Sequence, residues 1–478
     1  MTIDHRRLTR LTDRRTWVNR TTVGLTVAAG WFVIVLLIGP EGNLTAPASR
    51  MLAIFGAAVV LWITEAIPLS ATSILVILAE ILLISDEALV GLPSSFEPPT
   101  YQSIFATLAN PVLILFLGGF VLAETAAKYR LDRNLAGVLL RPFGNSPRAI
   151  MAGLMMITAV LSMFVSNTAT TAAMMAVVIP VAAGLGPGDR LRVGLILAVP
   201  VAANIGGLGT PVGSPPNAIA LGRLQDQGIA VDFVTWMALA VPVALVVLVF
   251  AWFLLTKRFP ASADTIDVRI GGDFDRGRPA LILYVVFALT VTGWVSEPLH
   301  GVPSSIVGFA AVVILLATQV FGVDDLRRLN WHILWLVGGG IALGNGVSST
   351  GLDRWLVELF DWGSLSTGLL LAALAVAAIG LSTIISNSAT ANLLIPIGIS
   401  LALSDAVDLD PLLVGLLIAL ACSLAMALPV STPPNAVAYA SGEIETKDMA
   451  IIGLLVGALG IVLIVFVMPP IWEGLGLL

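Results

Sequence analysis

The chain has 478 residues, 58% of them hydrophobic and 11% charged, with a mean hydropathy of +0.98. A soluble fold of this length cannot hide that much apolar surface, so composition excludes a soluble globular protein and predicts an all-α polytopic membrane protein in the lipid bilayer. The single cysteine, Cys422, rules out an intramolecular disulfide, and His5, His300 and His332 are scattered, with no Cys/His spacing of a metal cluster.

Residues 1–21 are polar and carry six arginines, too long and too charged for the n-region of a signal peptide. Residues 22–39 therefore read as a retained first span. Apolar runs place further spans at 51–67, 69–84, 105–124, 191–222, 233–256, 279–296, 303–321, 331–349, 411–441 and 449–468, eleven in all. Two more apolar stretches, about 147–185 and 365–404, are each long enough for a helix in and a helix out, and each is broken at a Ser-Asn centre. They read as re-entrant hairpins; the competing reading is two full spans joined at the tip. Segments 128–143 and 351–362 mix basic, acidic and apolar residues at helical spacing, as interfacial helices do.

Loop charge separates the two readings of the hairpins. With the N-terminus in the cytoplasm and each hairpin returning to its own side, 21 of the 24 Lys and Arg residues fall inside. Only Arg50, Arg223 and Arg354 fall elsewhere, while the outside loops carry Asp86, Glu87 and Glu97, or Asp405, Asp408 and Asp410. That is the bias of the positive-inside rule. Treating the hairpins as through-spans would export the basic 257–278 loop, so charge favours re-entrant hairpins in a plasma-membrane protein.

The chain also repeats itself. Ser166-Asn167-Thr168-Ala169-Thr170 returns as Ser386-Asn387-Ser388-Ala389-Thr390, 220 residues on, and Ser214-Pro215-Pro216-Asn217 returns as Thr432-Pro433-Pro434-Asn435, 218 residues on. Phe116-Leu117-Gly118-Gly119 is echoed by Leu336-Val337-Gly338-Gly339, and Leu131-Asp132-Arg133 by Leu352-Asp353-Arg354. The expected organisation is residues 1–50 as N-terminus and first span, 51–258 as repeat one, 259–278 as a flexible cytoplasmic linker, and 279–478 as repeat two. Each repeat holds five spans and one hairpin; an odd number of spans turns the second repeat upside down, a usual basis of alternating access.

Small polar residues and prolines are costly in hydrocarbon, and the same interruption made twice predicts a binding site shared by two halves. Ser and Asn are strong N-cap formers, so each hairpin tip aims a helix N-terminus, with its partial positive charge, at a common point. An anion fits there without a buried Lys or Arg, with the Asn167 and Asn387 amides and the Thr168 and Ser388 hydroxyls as donors. The Gly206–Pro216 and Pro429–Pro434 stretches cannot continue a helix, and unwound carbonyls suit Na⁺. Ser166, Asn167 and the Gly213 carbonyl form one candidate shell, and Ser386, Asn387 and the Ser431 carbonyl its mirror. Ser162 and Ser382, one turn before each tip, complete the two shells.

Other polar residues have plainer readings. Gly118-Gly119 and Gly338–Gly340 are small residues for close helix packing. Trp62, Trp331 and Trp335 read as interface anchors, and Glu124 and His332 as interfacial. Glu80 lies inside the third span, either as a satisfied scaffold residue or as a proton carrier. No nucleophile–base pair points to an enzyme, and nothing points to nucleic acid.

Two Ser-Asn-Thr-type tips, two Pro-Pro-Asn breaks and Ala109-Asn110-Pro111 before Gly118-Gly119 resemble the divalent anion/sodium symporter family over residues 50–468. The family comprises bacterial dicarboxylate transporters and the mammalian citrate and dicarboxylate carriers. The resemblance implies a homodimer of eleven-span protomers, each with a scaffold and a transport domain that moves as an elevator. It implies Na⁺-coupled import of C4-dicarboxylates such as succinate, malate or fumarate. It also implies sodium ligation by Ser162, Ser166, Asn167 and Gly213 and by Ser382, Ser386, Asn387 and Ser431. Substrate contacts would come from Asn167, Thr168, Ser214, Asn387, Ser388, Thr432 and Pro433. The second tip departs from the pattern with Ser388 in place of threonine, keeping the hydroxyl and losing a methyl. A sodium-independent exchanger, or a citrate or sulfate transporter of the same fold, is the alternative.

Overall fold

The computed structural model describes residues 5–186, 188–262, 264–265, 274–359, 362 and 365–478, with backbone alone for 5–20 and Arg133. Part of the expected linker (263 and 266–273) and residues 360–361 of the second interfacial segment lie outside the described residues. The regular secondary structure among the described residues is all helical, without a strand. In chain order the helices are α1 (His5–Ile38), α2 (Ala46–Thr64), α3 (Leu69–Ile84), α4 (Tyr101–Ala106), α5 (Pro111–Lys128), α6 (Leu131–Leu139), α7 (Pro147–Phe164) and α8 (Asn167–Ala183). They continue with α9 (Leu191–Gly206), α10 (Pro215–Asp226), α11 (Phe233–Arg258), α12 (Arg278–Val295), α13 (Glu297–His300), α14 (Ser304–Ala317), α15 (Val323–Arg328) and α16 (Trp331–Ser349). The last are α17 (Leu352–Glu358), α18 (Thr367–Ile384), α19 (Asn387–Ala402), α20 (Pro411–Leu424), α21 (Pro433–Tyr439), α22 (Thr446–Val462) and α23 (Met468–Gly474).

Among the described residues eight helices are long and apolar enough to cross a bilayer, or nine if α16 and α17, bent by 71°, form one broken span. The protein is an integral membrane protein. Several expected spans are shorter than a bilayer requires. α3 and α14 have 16 and 14 residues, and the expected spans 191–222 and 411–441 are each divided into two helices.

Two compact units interleave in sequence. The first takes Met1–Asn110, Trp331–Ser364 and Leu403–Val407, and the second takes Pro111–Asn330, Leu365–Ala402 and Asp408–Leu478. In the first unit α2 and α3 pack on each other, and α16 packs on α3. A Cβ at Gly339 would lie 2.3 Å from the Ser73 side chain, so α16 approaches α3 at backbone contact distance, the close packing expected of its glycines. Trp62 is not an interface anchor. It is 1% exposed and donates to the Leu69 carbonyl, whereas Trp331 and Trp335 are exposed.

In the second unit α9 and α20 are apolar all round, and almost every side chain on them is buried, which makes them core helices rather than surface ones. α9 packs against both α7 and α8, and α20 against both α18 and α19. The α5–α14 pair meets through Gly118, whose Cβ would stand 2.8 Å from the Gly308 backbone. Phe233 stacks on Trp294 beside them, ring centres 5.0 Å apart.

At the end of α5, Lys128 donates to Asp325 at 2.6 Å and to the Val320 carbonyl at 3.0 Å. Burial favours the neutral Asp325 carboxyl, but the Gly322 N–H at 2.8 Å and Lys128 outweigh it and hold the group below the ordinary aspartate value. An acid whose folded pKa is depressed stabilises the fold above its unfolded value and loses that contribution as pH falls. Asp325→Asn is therefore expected to lower thermal stability at neutral pH, with the gap from wild type closing below roughly pH 4. Detergent melting curves across pH measure this.

Candidate functional site

The candidate site is built where helices stop. α7 ends at Phe164, Val165 is extended, and α8 begins at Asn167; α18 ends at Ile384, Ile385 is extended, and α19 begins at Asn387. Both breaks fall at the repeated Ser-Asn. The arms of each pair pack on each other, α7 with α8 and α18 with α19. The tip serines differ in role. Ser386 Oγ caps the Ala389 N–H at 3.1 Å, whereas Ser166 occupies the N-cap position without a side-chain bond.

The tip asparagines do not cap. Asn167 turns back along its own pair, where its Oδ1 accepts from Ser162 Oγ at 2.5 Å, and Asn387 Oδ1 accepts from Ser382 Oγ at 3.1 Å. Expected shell residues thus come together twice, at the same offset of five. Ser162 Oγ also lies 2.9 Å from the Ala203 carbonyl of α9. A Cβ on Gly207 would fall 2.5 Å from the Asn167 amide, so only glycine lets that backbone approach the tip. Gly213 lies close by, its Cβ position 2.6 Å from the Gly207 carbonyl oxygen. In the second set Ser431 Oγ donates to the Thr383 carbonyl at 2.9 Å and accepts from the Leu428 N–H at 3.1 Å. Each set gathers serine, amide and carbonyl oxygens, the donor chemistry a hard monovalent cation takes.

The prolines of the second motif start helices rather than merely ending them. Pro215 and Pro433 are the first residues of α10 and α21, where a missing N–H costs nothing. Thr432 accepts from the Asn435 N–H at 3.3 Å as N-cap. The unwinding before each proline pair frees backbone carbonyls, and the asparagine that follows takes them up. Asn217 Nδ2 donates to Gly207 O at 2.9 Å and Thr210 O at 2.8 Å; Asn435 Nδ2 donates to Met426 O at 2.8 Å and Leu428 O at 3.0 Å. Both asparagines are completely buried.

The two broken helices are also stitched to each other. Asn204 Nδ2 on α9 donates at 3.1 Å to Thr432 Oγ1 and at 3.1 Å to Asn435 Oδ1. Reciprocally, Ser423 on α20 bonds Ser214 Oγ at 3.0 Å. Asn204 and Ser423 are 219 residues apart, in line with the repeat spacing. Packing crosses over in the same way: α10 lies on α19 and α20, and α21 on α8 and α9. Asn204 and Ser423 were not among the sequence candidates. The available signal was an isolated polar side chain near the end of a long apolar run.

Of the expected substrate contacts, Ser214 and Thr432 are buried and committed to these bonds. Thr168 and Ser388, half-buried on the first turns of α8 and α19, have hydroxyls with no hydrogen-bond partner among the described residues. Pro433 is exposed. Two donors on matching first turns, beside helix N-termini, can bind the oxygens of an anion.

The comparisons agree with one another. Residues 59–419 match a family model described as citrate transporter. A sodium-dependent dicarboxylate transporter, SdcS, of Staphylococcus saprophyticus is 31% identical over 490 residues, covering 94% of this chain and 92% of its own. The SdcS of Staphylococcus aureus is 30% identical over 493 residues, covering 95% and 92%. Among solved structures, the Alcanivorax borkumensis YdaH transporter matches with a TM-score of 0.55 at 15% identity, over 86% of this chain and 99% of its own. Neisseria gonorrhoeae MtrF, from a class of antimetabolite efflux pumps, matches with a TM-score of 0.51 at 11% identity, over 91% and 96%. At those identities the likeness is one of fold.

Removing either carbonyl tie leaves two buried acceptors bare, at roughly 1–3 kcal/mol for a group left unsatisfied. Asn217→Ala and Asn435→Ala are each expected to lower thermal stability clearly, while Gly30→Ala, which meets nothing within 4 Å, leaves it unchanged. Melting curves of the purified proteins in detergent compare the three.

Proposed function

The chain belongs to the divalent anion/sodium symporter family, and we propose that it is a Na⁺-coupled secondary transporter importing C4-dicarboxylates such as succinate, malate or fumarate. It is not an enzyme. The observation that carries the reading is the matched pair of Thr168 and Ser388 hydroxyls, unpartnered on the first turns of two helices, each beside a Ser–Asn oxygen pair. Two donors on two helix N-termini suit a solute with two carboxylates. Sodium-dependent dicarboxylate transport is also what the SdcS relatives are named for.

In this reading Na⁺ binds first. One ion sits among Ser162, Ser166, Asn167 and Gly213, and another among Ser382, Ser386, Asn387 and Ser431. Binding fixes the tips and supplies positive charge. The dianion then docks against Asn167, Thr168, Ser214, Asn387, Ser388, Thr432 and Pro433, with Ser214 loosening its bond to Ser423 and Thr432 its bond from Asn204 to do so. The two repeats are inverted, the protomer has eleven spans with re-entrant tips, and its N-terminus is cytoplasmic. The protomers pair as a homodimer, and a transport domain slides as an elevator. Electrostatics explains the need for cations. Moving one charge across 100 mV is worth about 2.3 kcal/mol, so a bare dianion entering a negative interior opposes roughly twice that, and more than two Na⁺ reverse the sign.

The citrate description of the family model favours a second reading, a tricarboxylate substrate at the same site. The serine at 388, smaller by one methyl than the threonine at 168, leaves room in that direction. Proteoliposome uptake of succinate, citrate and sulfate, with an inward Na⁺ gradient imposed or removed, tests both. Succinate uptake is expected to need Na⁺ and to rise with a negative interior; equal uptake without Na⁺, driven by internal dicarboxylate, would establish an exchanger instead. Thr168→Val and Ser388→Ala each remove a bond to a charged oxygen, worth about 1.5–3 kcal/mol, so KM should rise by roughly ten-fold or more.

A further inference from the structure

We propose that Glu80 is a resident proton-binding site, reached from the surface through a small polar vestibule in the first unit and separate from the sodium and anion chemistry. Glu80 lies on α3, is 1% exposed, and its Oε1 has no hydrogen-bond partner. It borders a cavity of about 120 Å³ lined by Ser103, Thr107, Asn345, Gly346 and Ser349, large enough for several waters. Ser103 and Ser349 are exposed while Glu80 and Thr107 are buried, so the cavity runs from the surface inward to the carboxyl.

The surroundings offer lone pairs and few hydrogens. Ser103 Oγ already donates to the Thr100 carbonyl at 2.6 Å, Thr107 Oγ1 to the Ile104 carbonyl at 2.7 Å, and Ser349 Oγ to the Gly346 carbonyl at 3.3 Å. Their oxygens remain as acceptors. Asn345, the lining side chain with N–H groups, makes no bond to Oε1. Oε1 also lies 2.7 Å from where a Gly346 Cβ would stand, close against the backbone of α16, where helical N–H groups are spent within the helix. A buried carboxylate oxygen that no protein donor reaches is poorly solvated; a carboxylic acid supplies a donor to the acceptor oxygens beside it.

Charged groups on the packed elements do not change this. Arg50, on α2, gives its guanidinium to the carbonyls of Leu83, Val90 and Gly91. Glu65 ends α2 and His332 begins α16, both far along their helices from Met51 and Gly346, which adjoin the carboxyl. Asp86, in the loop after α3, accepts from the Tyr101 N–H of α4, and Glu87 and Glu97 in that loop are exposed. On α17, Asp353 accepts from Ser348, and Arg354 and Glu358 are exposed or half-exposed. Part of the lining is apolar: Ile104 and Ala342 belong both to the cavity and to a cluster with Ile77, Ile81 and Leu108. Among the described residues that line the cavity no second titratable group stands ready to take the proton onward, so this proton regulates rather than drives transport. Loss of the proton would place a charge between α3 and α16 and loosen their contact.

The test uses the full chain in nanodiscs and proteoliposomes. Infrared spectra across pH are expected to show a protonated-carboxyl stretch that fades as pH rises and is missing from Glu80→Gln. Wild-type succinate uptake is expected to decline at alkaline pH, and Glu80→Gln to keep uptake at neutral pH within about two-fold and to abolish that decline. No spectral difference between wild type and folded Glu80→Gln would overturn the site, as would displacement of the band by Na⁺ at constant pH. Loss of uptake at every pH in folded Glu80→Gln would overturn the regulatory role in favour of a coupling proton. Should Glu80→Gln fail to fold, Gly346→Ala decides: the methyl it presses onto the carboxyl must shift the band, and an unmoved band overturns the assignment. Failure of succinate uptake in wild type bears on the proposed substrate alone, because the spectral readout needs no substrate.

Discussion

A helix cannot be interrupted inside an apolar interior unless something takes up the hydrogen-bonding groups that the interruption frees. Asn217 and Asn435 meet that condition. Each begins from the first turn of the helix after a break and reaches back with one amide nitrogen to two carbonyls of the unwound segment before it. With those carbonyls tied, the backbone at Gly207 can stay unwound at the hairpin tip, close enough that only glycine fits against Asn167. The oxygen-rich sets around Ser162 and Ser382 presuppose those tied breaks.

The second level of order is reciprocity. Each broken helix lies on its own tip pair before the break and on the opposite pair after it, α9 then α10, and α20 then α21. The side-chain bonds follow the same rule, Asn204 reaching forward to Thr432 and Ser423 back to Ser214. The halves are alike without being identical. Ser386 caps its helix where Ser166 does not. Chemically distinct shells have different affinities, so under the proposed function the two cations need not bind with equal strength.

The breaks themselves were legible because Gly, Pro and Ser-Asn are local signals: a proline without a donor and a glycine run constrain the backbone whatever surrounds them. The all-helical class followed from composition, and the close contact at Gly118 and Gly339 from small residues in apolar runs. What sequence could not supply was direction. Asn167 and Asn387 read as caps because the residue type favours capping, yet their side chains turn back to Ser162 and Ser382, a choice made by tertiary contact. Asn204 and Ser423 act only through partners more than 200 residues away, which no local pattern reveals. Trp62 misled for a related reason: its indole N–H finds the Leu69 carbonyl inside the protein, so it has no need of the interface.

The same accounting distinguishes the two kinds of buried polar residue. Around the breaks, the Asn217 and Asn435 amide nitrogens and the Asn204 and Ser423 side chains have found partners, and the Thr168 and Ser388 hydroxyls sit half-exposed on helix first turns where a ligand can reach them. Glu80 is the opposite case: deeply buried, its Oε1 without a hydrogen-bond partner, and with no cationic side chain among the described residues that line its cavity. A half-exposed bare hydroxyl suits an anion, and a buried carboxyl that no donor reaches suits a proton. The difference in what each lacks is a physical reason for assigning the tips to the transported solute and the α3 carboxyl to pH.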